Sequence, residues 1–444
     1  MESILIKASQ LILSLSILVV LHEFGHFMFA RLFKTRVEKF YLFFDPWFSL
    51  FKLKKGETEY GVGWLPLGGY VKIAGMIDES MDKEQMKLPP QPWEFRAKPA
   101  WQRLLIMVGG VLMNLLFAML IYIAVLFAWG EEYLPTANVK YGIVASELAE
   151  KIGFRTGDKI LSVDHKPVEN FLKVIPTIVL DKASSVQVER DGQPVDIPIL
   201  NEHFALLLNS KAGEIFSFRL PFHFVIDKFA KVSPGKDAGL LKGDEITGID
   251  GQHFSFHDEF QKKMSDSKGK KITLSILRDG KPLEIPVQVG EEGLLGILNG
   301  YNFEGVFELK TNHYGLLESI PAGIERGVGT IKDYLKQIKL LFMPETKAYE
   351  SLGGFITIGS IFPGVWDWHA FWNMTALLSI ILAIMNLLPI PALDGGHVMF
   401  LMFEIVTGRK PNEKFLEYAQ IAGMILLLAL VLYANINDVI KHLL

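Results

Sequence analysis

His22 and His26 stand four residues apart, with Glu23 beside the first, in the string His22-Glu23-Phe24-Gly25-His26. On a helix this spacing stacks the two imidazoles one turn apart on one face, where both can reach a single cation. Glu23 projects roughly 100° further round the helix. It lies near the cation without having to bind it, which suits a general base acting on a water held there. The residues just before, LILSLSILVVL over 11–21, carry no charge. Ionisable side chains in such a run are costly, about 2.5–3.5 kcal/mol each at the centre of a membrane span and less near its end. A chance match to this spacing would normally sit on an amphipathic helix with polar neighbours. A second candidate is Asp394, in the string Asn386-Leu-Leu-Pro389-Ile-Pro391-Ala-Leu-Asp394-Gly395-Gly396-His397. Two prolines interrupt the helix there, and the paired glycines allow a tight turn with close backbone approach. His397 reads better as a structural or supporting histidine than as a ligand. The chain has no cysteine, so disulfides, thiolate-ligated metal and a cysteine nucleophile are excluded, and any metal must use His and carboxylate.

These residues need spans to position them. Half of the 444 residues are hydrophobic and mean hydropathy is +0.27, yet 21% are charged. The chain therefore mixes membrane and soluble parts. Net charge is -4 with no basic block, which gives nucleic-acid binding no support. Spans are expected in residues 1–30, 104–129, 370–404 and 415–435. The first resembles a signal peptide in having Lys7 and an apolar run, but the run is long and no small-x-small site precedes the motif, so the span is expected to be retained. Arg31, Lys34, Arg36 and Lys39 follow at once, then Lys52, Lys54 and Lys55, and the positive-inside rule makes that flank cytoplasmic. Both termini then lie outside, and Arg409, Lys410 and Lys414 mark the second cytoplasmic turn. Spans one and three both run inward, with the His pair and Asp394 near their inner ends. Two independent topology arguments thus bring His22, His26 and Asp394 to one depth.

The connecting regions differ in character. Within 31–103, residues 59–73 (EYGVGWLPLGGYVKI) predict a β-hairpin or sharply turned loop. It is apolar enough to dip into the membrane beside the motif, where a strand could pair with a substrate backbone. An ordinary packed hairpin fits equally well. Residues 78–98, charged and Pro-containing, read as a surface loop. In the second span, Gly109 and Gly110 suit close helix packing and Asn114 suits either a structural bond or the site. Residues 130–310 change to short strand-like runs between Gly, Asp and Pro turns, and they repeat. A short helix leads into Gly157-Asp158-Lys159-Ile160-Leu161-Ser162-Val163-Asp164, and another into Gly243-Asp244-Glu245-Ile246-Thr247-Gly248-Ile249-Asp250, 86 residues later. Each copy resembles the core of a PDZ domain, which binds extended peptides along a sheet edge. The copies are placed at 130–222 and 223–310, outside the membrane. In the connector 311–369, residues 313–342 form an amphipathic helical pattern, suited to the outer membrane surface or to packing under the repeated pair. The expected fold is therefore a polytopic α-helical membrane protein: four transmembrane helices, a membrane-associated β-hairpin and two inserted PDZ-like α+β domains.

The motifs in this order, HEFGH, LPLGGYVK, Gly110-x-x-x-Asn114, the tandem repeat and Asn386-x-x-Pro-x-Pro-x-Leu-Asp-Gly-Gly396, resemble the site-2 family of intramembrane metalloproteases over essentially the whole chain, and within it the bacterial type with tandem PDZ domains. The resemblance implies Zn2+ held by His22, His26 and Asp394, with Glu23 as general base. It implies substrate contact by Asn386 and by Gly68, Gly69, Tyr70, Val71 and Lys72 of a membrane-embedded β-loop, with Asn114 grouped beside them. It further implies a multi-pass protein of the bacterial inner membrane, working as a monomer in the lipid bilayer. Its substrates would be single-span proteins, typically anti-sigma factors already cut once outside, and sometimes remnant signal peptides. Val111 stands where the family often has Pro, and Phe355 follows Gly354 where a Gly-Pro pair is common. These departures bear on helix packing and the substrate gate, not on the metal set. Two rival readings are a membrane-tethered PDZ adaptor with a degenerate site, which has no use for Glu23 and Asp394, and a soluble-type zincin on an anchor, which would place its motif outside the span.

Overall fold

A computed structural model describes residues 2–76, 89–210, 212–300 and 306–443. The loop expected over 78–98 therefore lies outside the described residues as far as Leu88. The chain divides into two compact units, one of residues 1–131, 312–338 and 349–444 and one of 132–311 and 339–348.

The first unit begins with α1 (Glu2–Leu32). Its buried residues, Gln10, Ser14, Leu18, His22, Gly25, His26 and Ala30, recur every three or four positions and form one small or polar stripe. In lipid that is the stripe helices pack by, because apolar side chains gain nothing from leaving a hydrocarbon solvent. A four-stranded sheet follows, β1 (Val37–Phe44), β2 (Phe51–Lys55), β3 (Thr58–Val62) and β4 (Leu65–Ile73). Its spatial order is β2-β3-β1-β4. Then come α2 (Ala100–Trp129), α3 (Leu316–Leu341), α4 (Phe355–Ser360), α5 (Trp368–Leu387), α6 (Asp394–Thr407) and α7 (Glu413–Leu443). Among the described residues, four helices are long and apolar enough to cross a membrane: α1, α2, α5 and, within α7, Lys414–Lys441.

Three expectations need correction. Residues 59–73 do turn sharply, at 63–64 between β3 and β4, but these two strands do not pair with each other as a hairpin would. The hairpin is formed by β2 and β3, closed by the two-residue turn Gly56-Glu57 with Gly56 at φ +64, the geometry such turns require. β4 instead pairs antiparallel with β1, and β1 pairs in parallel with β3. The alternation of residues reveals a strand, but its partner is chosen by residues elsewhere in the chain. Second, Gly395 and Gly396 do not form a tight turn. They lie buried in the first turn of α6, where a Cβ on Gly396 would come within 2.6 Å of Pro391 Cα. The turn itself falls on residues 388–393, with Ala392 at φ +88, a conformation that a residue with a Cβ rarely adopts. Third, the amphipathic helix packs against spanning helices, both through its glycines and Arg326 and through Ile331, Tyr334 and Ile338, which join a core formed by α2 and α5. Gly323 and Gly327 lie on Ile123 and Met119 of α2, and Arg326 donates to Asn373 Oδ1 of α5 at 2.9 Å. Leu317, Ile320 and Ile324 on its apolar side stay exposed, a surface suited to lipid.

The second unit repeats one design twice, with two separate cores. One centres on Phe154, Ile178, Val186 and Val188, the other on Ile226, Leu274, Ile276 and Val287. In the first, strands Lys159–Val163, Ser185–Arg190 and Gln193–Pro198 are antiparallel neighbours. In the second, Glu245–Ile249, Lys271–Arg278 and Lys281–Gln288 take the same relation. Both final hairpins turn on Asp-Gly at positive φ, Asp191-Gly192 and Asp279-Gly280, as a two-residue turn between twisted strands favours. Each GD motif anchors a buried ion pair. Asp158 accepts two bonds from Arg190 at 2.8 and 2.7 Å while Arg190 also donates to the Gly153 carbonyl. Asp244 does the same with Arg278, at 2.7 Å twice, while Arg278 donates to the Gly239 carbonyl. The repeated Asp is thus a brace from the end of the short helix to the middle one of the three strands.

Burial pushes the Asp244 carboxyl up, but the Arg278 bonds and the Leu241 N–H outweigh it and hold the group below its ordinary range. A depressed folded pKa gives stability that is complete above the unfolded value of about 3.9 and is lost as pH falls through the lower folded value. Asp244→Asn is therefore expected to loosen the second copy at neutral pH, raising amide exchange in Glu245–Ile249 and Lys271–Arg278 roughly tenfold or more and leaving exchange in 159–198 unchanged. In wild type, exchange in those same strands should begin to rise only below about pH 4.

Candidate metal centre and cleft

The site forms where α1 crosses α2 with their backbones in contact. A Cβ on Gly25 would collide with the Gly109 carbonyl, and one on Gly109 would come within 2.7 Å of the Gly25 oxygen. One residue on, a Cβ at Gly110 would lie 2.5 Å from His26 Nε2 and 2.6 Å from His22 Cε1. The two glycines of α2 therefore leave exactly the room two imidazoles need, and the packing reading of Gly109 and Gly110 holds. α5 is tied to α2 at the same level by Ser379, whose hydroxyl donates to the Asn114 carbonyl at 2.7 Å. α6 is tied by Arg103, which donates to Glu404 at 2.6 Å.

The chain break between α5 and α6 then delivers Asp394. Its Oδ2 lies 3.0 Å from His22 Nε2 and 3.3 Å from His26 Nε2, and the two Nε2 atoms are 3.2 Å apart. Around a four-coordinate zinc with bonds of about 2.0–2.1 Å, ligand atoms sit about 3.3 Å apart, so this triangle has the size such an ion requires. Among the described residues, His22, His26 and Asp394 are the only such group that could hold a metal. The tautomers also fit. His26 Nδ1 donates to the Ile106 carbonyl at 2.8 Å. A carbonyl only accepts, so the proton is on Nδ1 and the Nε2 lone pair faces the cluster. His22 Nδ1 is 3.2 Å from the Asn114 amide, whose buried Oδ1 otherwise has no partner. Turned by 180°, the amide presents that oxygen to Nδ1–H and leaves the second Nε2 lone pair for the cation.

The cluster opens into a cavity of about 400 Å³. Glu23 lines it and accepts a hydrogen bond from the Val71 N–H of β4. β4 contributes Gly69, Tyr70, Val71 and Lys72 as lining, whereas Gly68 is not among the lining residues. Tyr70 is held by stacking on Tyr41 and Phe44, and its hydroxyl donates to Asp45 at 2.9 Å. Asn386 lies beside the cluster, its Nδ2 3.4 Å from His22 Nε2. Asn114 reaches the site through His22 rather than through the cavity. His397 lines the cavity without joining the metal group. Sequence reasoning missed the Ile106 carbonyl, which leaves no side-chain signal. It also passed over Gln420 of α7, which lines the cavity and was legible as an amide in an apolar helix.

A sequence model of peptidase family M50 matches residues 10–430. A Xylella fastidiosa protein whose name assigns it to the zinc metalloproteases is 29% identical over 97% of this chain and 98% of its own. The regulator of sigma E protease of Haemophilus influenzae is 29% identical over 99% and 100%, and that of Salmonella typhimurium, RseP, is 28% identical over 99% of each. The solved PDZ domain of an SdrC-like protein from Listeria innocua aligns at 26% identity over 18% of this chain and 97% of its own, with a TM-score of 0.16.

Because a Cβ at Gly110 has nowhere to go but the imidazoles, Gly110→Ala should weaken divalent metal binding roughly 10–100-fold. Elemental analysis of the purified protein after dialysis against a metal buffer reads this directly. The far-ultraviolet circular dichroism should remain that of wild type.

Proposed function

This chain belongs to peptidase family M50 and is a zinc metalloprotease, and from that premise we propose that it cuts single-span membrane proteins within the bilayer. The observation that carries the reading is the convergence of His22, His26, Asp394 and Glu23 on one cavity walled by β4, inside a cluster of spanning helices. His22, His26 and Asp394 are the residues we assign to hold zinc. When bound, zinc supplies Lewis acidity, making water a better nucleophile near neutral pH and polarising the scissile carbonyl.

The chain's own residues do the rest. Glu23 takes the proton of the attacking water and returns it to the leaving amide nitrogen. The Val71 N–H orients the Glu23 carboxylate. A transmembrane helix hides its carbonyls in its own hydrogen bonds, so the segment to be cut must unwind, and each backbone group freed in hydrocarbon costs several kcal/mol. β4 is an edge strand of the sheet, and pairing of the unwound segment with Gly69–Lys72 would replace those bonds on one side. Asn386, beside the cluster, is placed to bond the substrate near the scissile carbonyl.

The relatives' names connect them to sigma E. We infer for this chain an anti-sigma factor as substrate, trimmed outside before the cut in the membrane, with remnant signal peptides as further substrates. The two repeated domains, read as PDZ domains at 130–222 and 223–310, would stand on the outer side and exclude substrates that still carry bulky outer domains. That would impose the order of a two-step cleavage. By the charge rule both termini also lie outside, in the bacterial inner membrane.

The test is cleavage of a single-span probe by purified protein in liposomes. Wild type should cut, and a chelator should stop it. Glu23→Gln should retain zinc and lose activity by a factor of roughly 10³ or more. Asp394→Asn should lose zinc. Normal cleavage by Glu23→Gln would overturn the base assignment, and unchanged zinc content in Asp394→Asn would sink the third ligand.

A further inference from the structure

We propose that Gln420 of α7 is a substrate-binding residue, its side-chain amide pairing with the backbone of the unwound segment on the edge that β4 leaves open. The proposal rests on the reading of the cavity as the cleavage site.

Gln420 lines the same cavity as His22, Glu23 and Asp394. Its amide has no hydrogen-bond partner among the described residues. Most of α7 around it faces outward as apolar surface, with Ile425, Leu428 and Leu432 each more than 60% exposed. A free amide in such a helix is unfavourable unless something bonds it.

Its direction is fixed by the backbone. Three residues on, Gly423 lies against the carbonyl of Pro391, which a Cβ there would overlap. Residues three apart share a helix face, so the contact that seats α7 on the break before Asp394 also turns Gln420 to the cavity. Phe415 holds the same end of α7 through an edge contact with Phe400 of α6, ring centres 5.9 Å apart.

The chemistry of the occupant follows. An extended peptide carries N–H and C=O groups on both edges. β4 can pair with one edge only, which leaves the other unsatisfied in a lipid environment. A glutamine amide offers one acceptor and two donors. It can therefore bond a peptide C=O and N–H together without regard to side-chain identity, as a protease with varied apolar substrates requires.

The absence of cysteine in this chain makes the test direct. In a Glu23→Gln background, single cysteines are placed by Gln420→Cys, by Val71→Cys on β4 and by Leu428→Cys on the outward side of α7. Each is tested for cross-linking to a single-span probe peptide with one cysteine walked along its span. Gln420→Cys and Val71→Cys should capture the same short stretch of the probe, and Leu428→Cys should not. Capture by Val71→Cys without Gln420→Cys would overturn the proposal and leave the proposed function standing. Capture by neither would overturn the cavity as the cleavage site, and this proposal with it. In the active enzyme, Gln420→Leu should raise KM for the probe roughly tenfold, with kcat and zinc content held and with Gln420→Asn recovering part of the loss. An unchanged KM in Gln420→Leu would equally overturn it.

Discussion

The contact of two helix backbones at Gly25, Gly109 and Gly110 is the constraint on which the rest of this unit depends. Lipid gives no hydrophobic drive to bring α1 and α2 together, so their association relies on close packing and polar bonds. Only glycine lets the backbones meet here. Once they meet, the imidazoles of His22 and His26 have one possible home, against the Gly110 backbone and the Ile106 carbonyl. The glycine inside the HEFGH string is therefore part of the site, as much as the histidines are. A helix pair spaced by alanines would carry the same ligands but could not bring them to one point.

Charge explains why the cluster wants a cation. Two carboxylates, Glu23 and Asp394, face two imidazoles whose proton positions leave lone pairs inward. Such a group in a poorly solvated cavity has to be balanced by protons or by a cation, because burying unpaired charge is among the most unfavourable events in a protein. Lys72, at the cavity wall, lies 3.6 Å from Glu38 of β1, so its charge is shared with a carboxylate outside the cluster. A divalent ion held by His22, His26 and Asp394 would neutralise the pair and satisfy the lone pairs at once. The same residues that make the site expensive without charge compensation would make it a strong binder.

Much of this was legible in the sequence, and the parts that were not share a cause. The spacing of His22 and His26, the helix break before Asp394 and the two GD repeats are local patterns, and the structure places each in the element expected. Counting charges at the ends of spans led to the expectation that the His pair and Asp394 meet, and the three do lie together. Partner choice was not local. Residues 59–73 read correctly as strand with a turn, but β1, twenty residues earlier, inserts between β3 and β4. Residues 313–342 read correctly as an amphipathic helix, but its apolar stripe is divided: Ile331 and Ile338 join the core with α2 and α5 beside the contacts of Gly323, Gly327 and Arg326, while Leu317, Ile320 and Ile324 stay exposed. In lipid, apolar periodicity does not by itself mark the buried face, and along this one stripe Ile331 and Ile338 are packed while Ile320 and Ile324 are exposed. Gln420 was passed over because one amide in a long apolar run resembles noise until the cavity is seen.

The hydrolysis proposed within the bilayer would also have to obtain water. The cluster sits towards the C-terminal end of α1 rather than at its middle, and the cost of polar groups is lower near the end of a span. The cavity does not end at the metal cluster. A second cavity of about 170 Å³ shares Met76, His397 and Gln420 with the first, and its wall includes Arg103, Glu404 and Lys410. Lys410 belongs to the turn that the charge rule assigns to the cytoplasm. Polar side chains thus continue from the cluster towards the turn that holds Lys410, while the exposed face of α7 stays apolar. A site with lipid on one side and a polar lining on the other can accept an apolar substrate laterally and still be wet at the reacting bond. That division of surfaces, set by which face of α7 Gly423 turns inward, lets one apolar helix bound both.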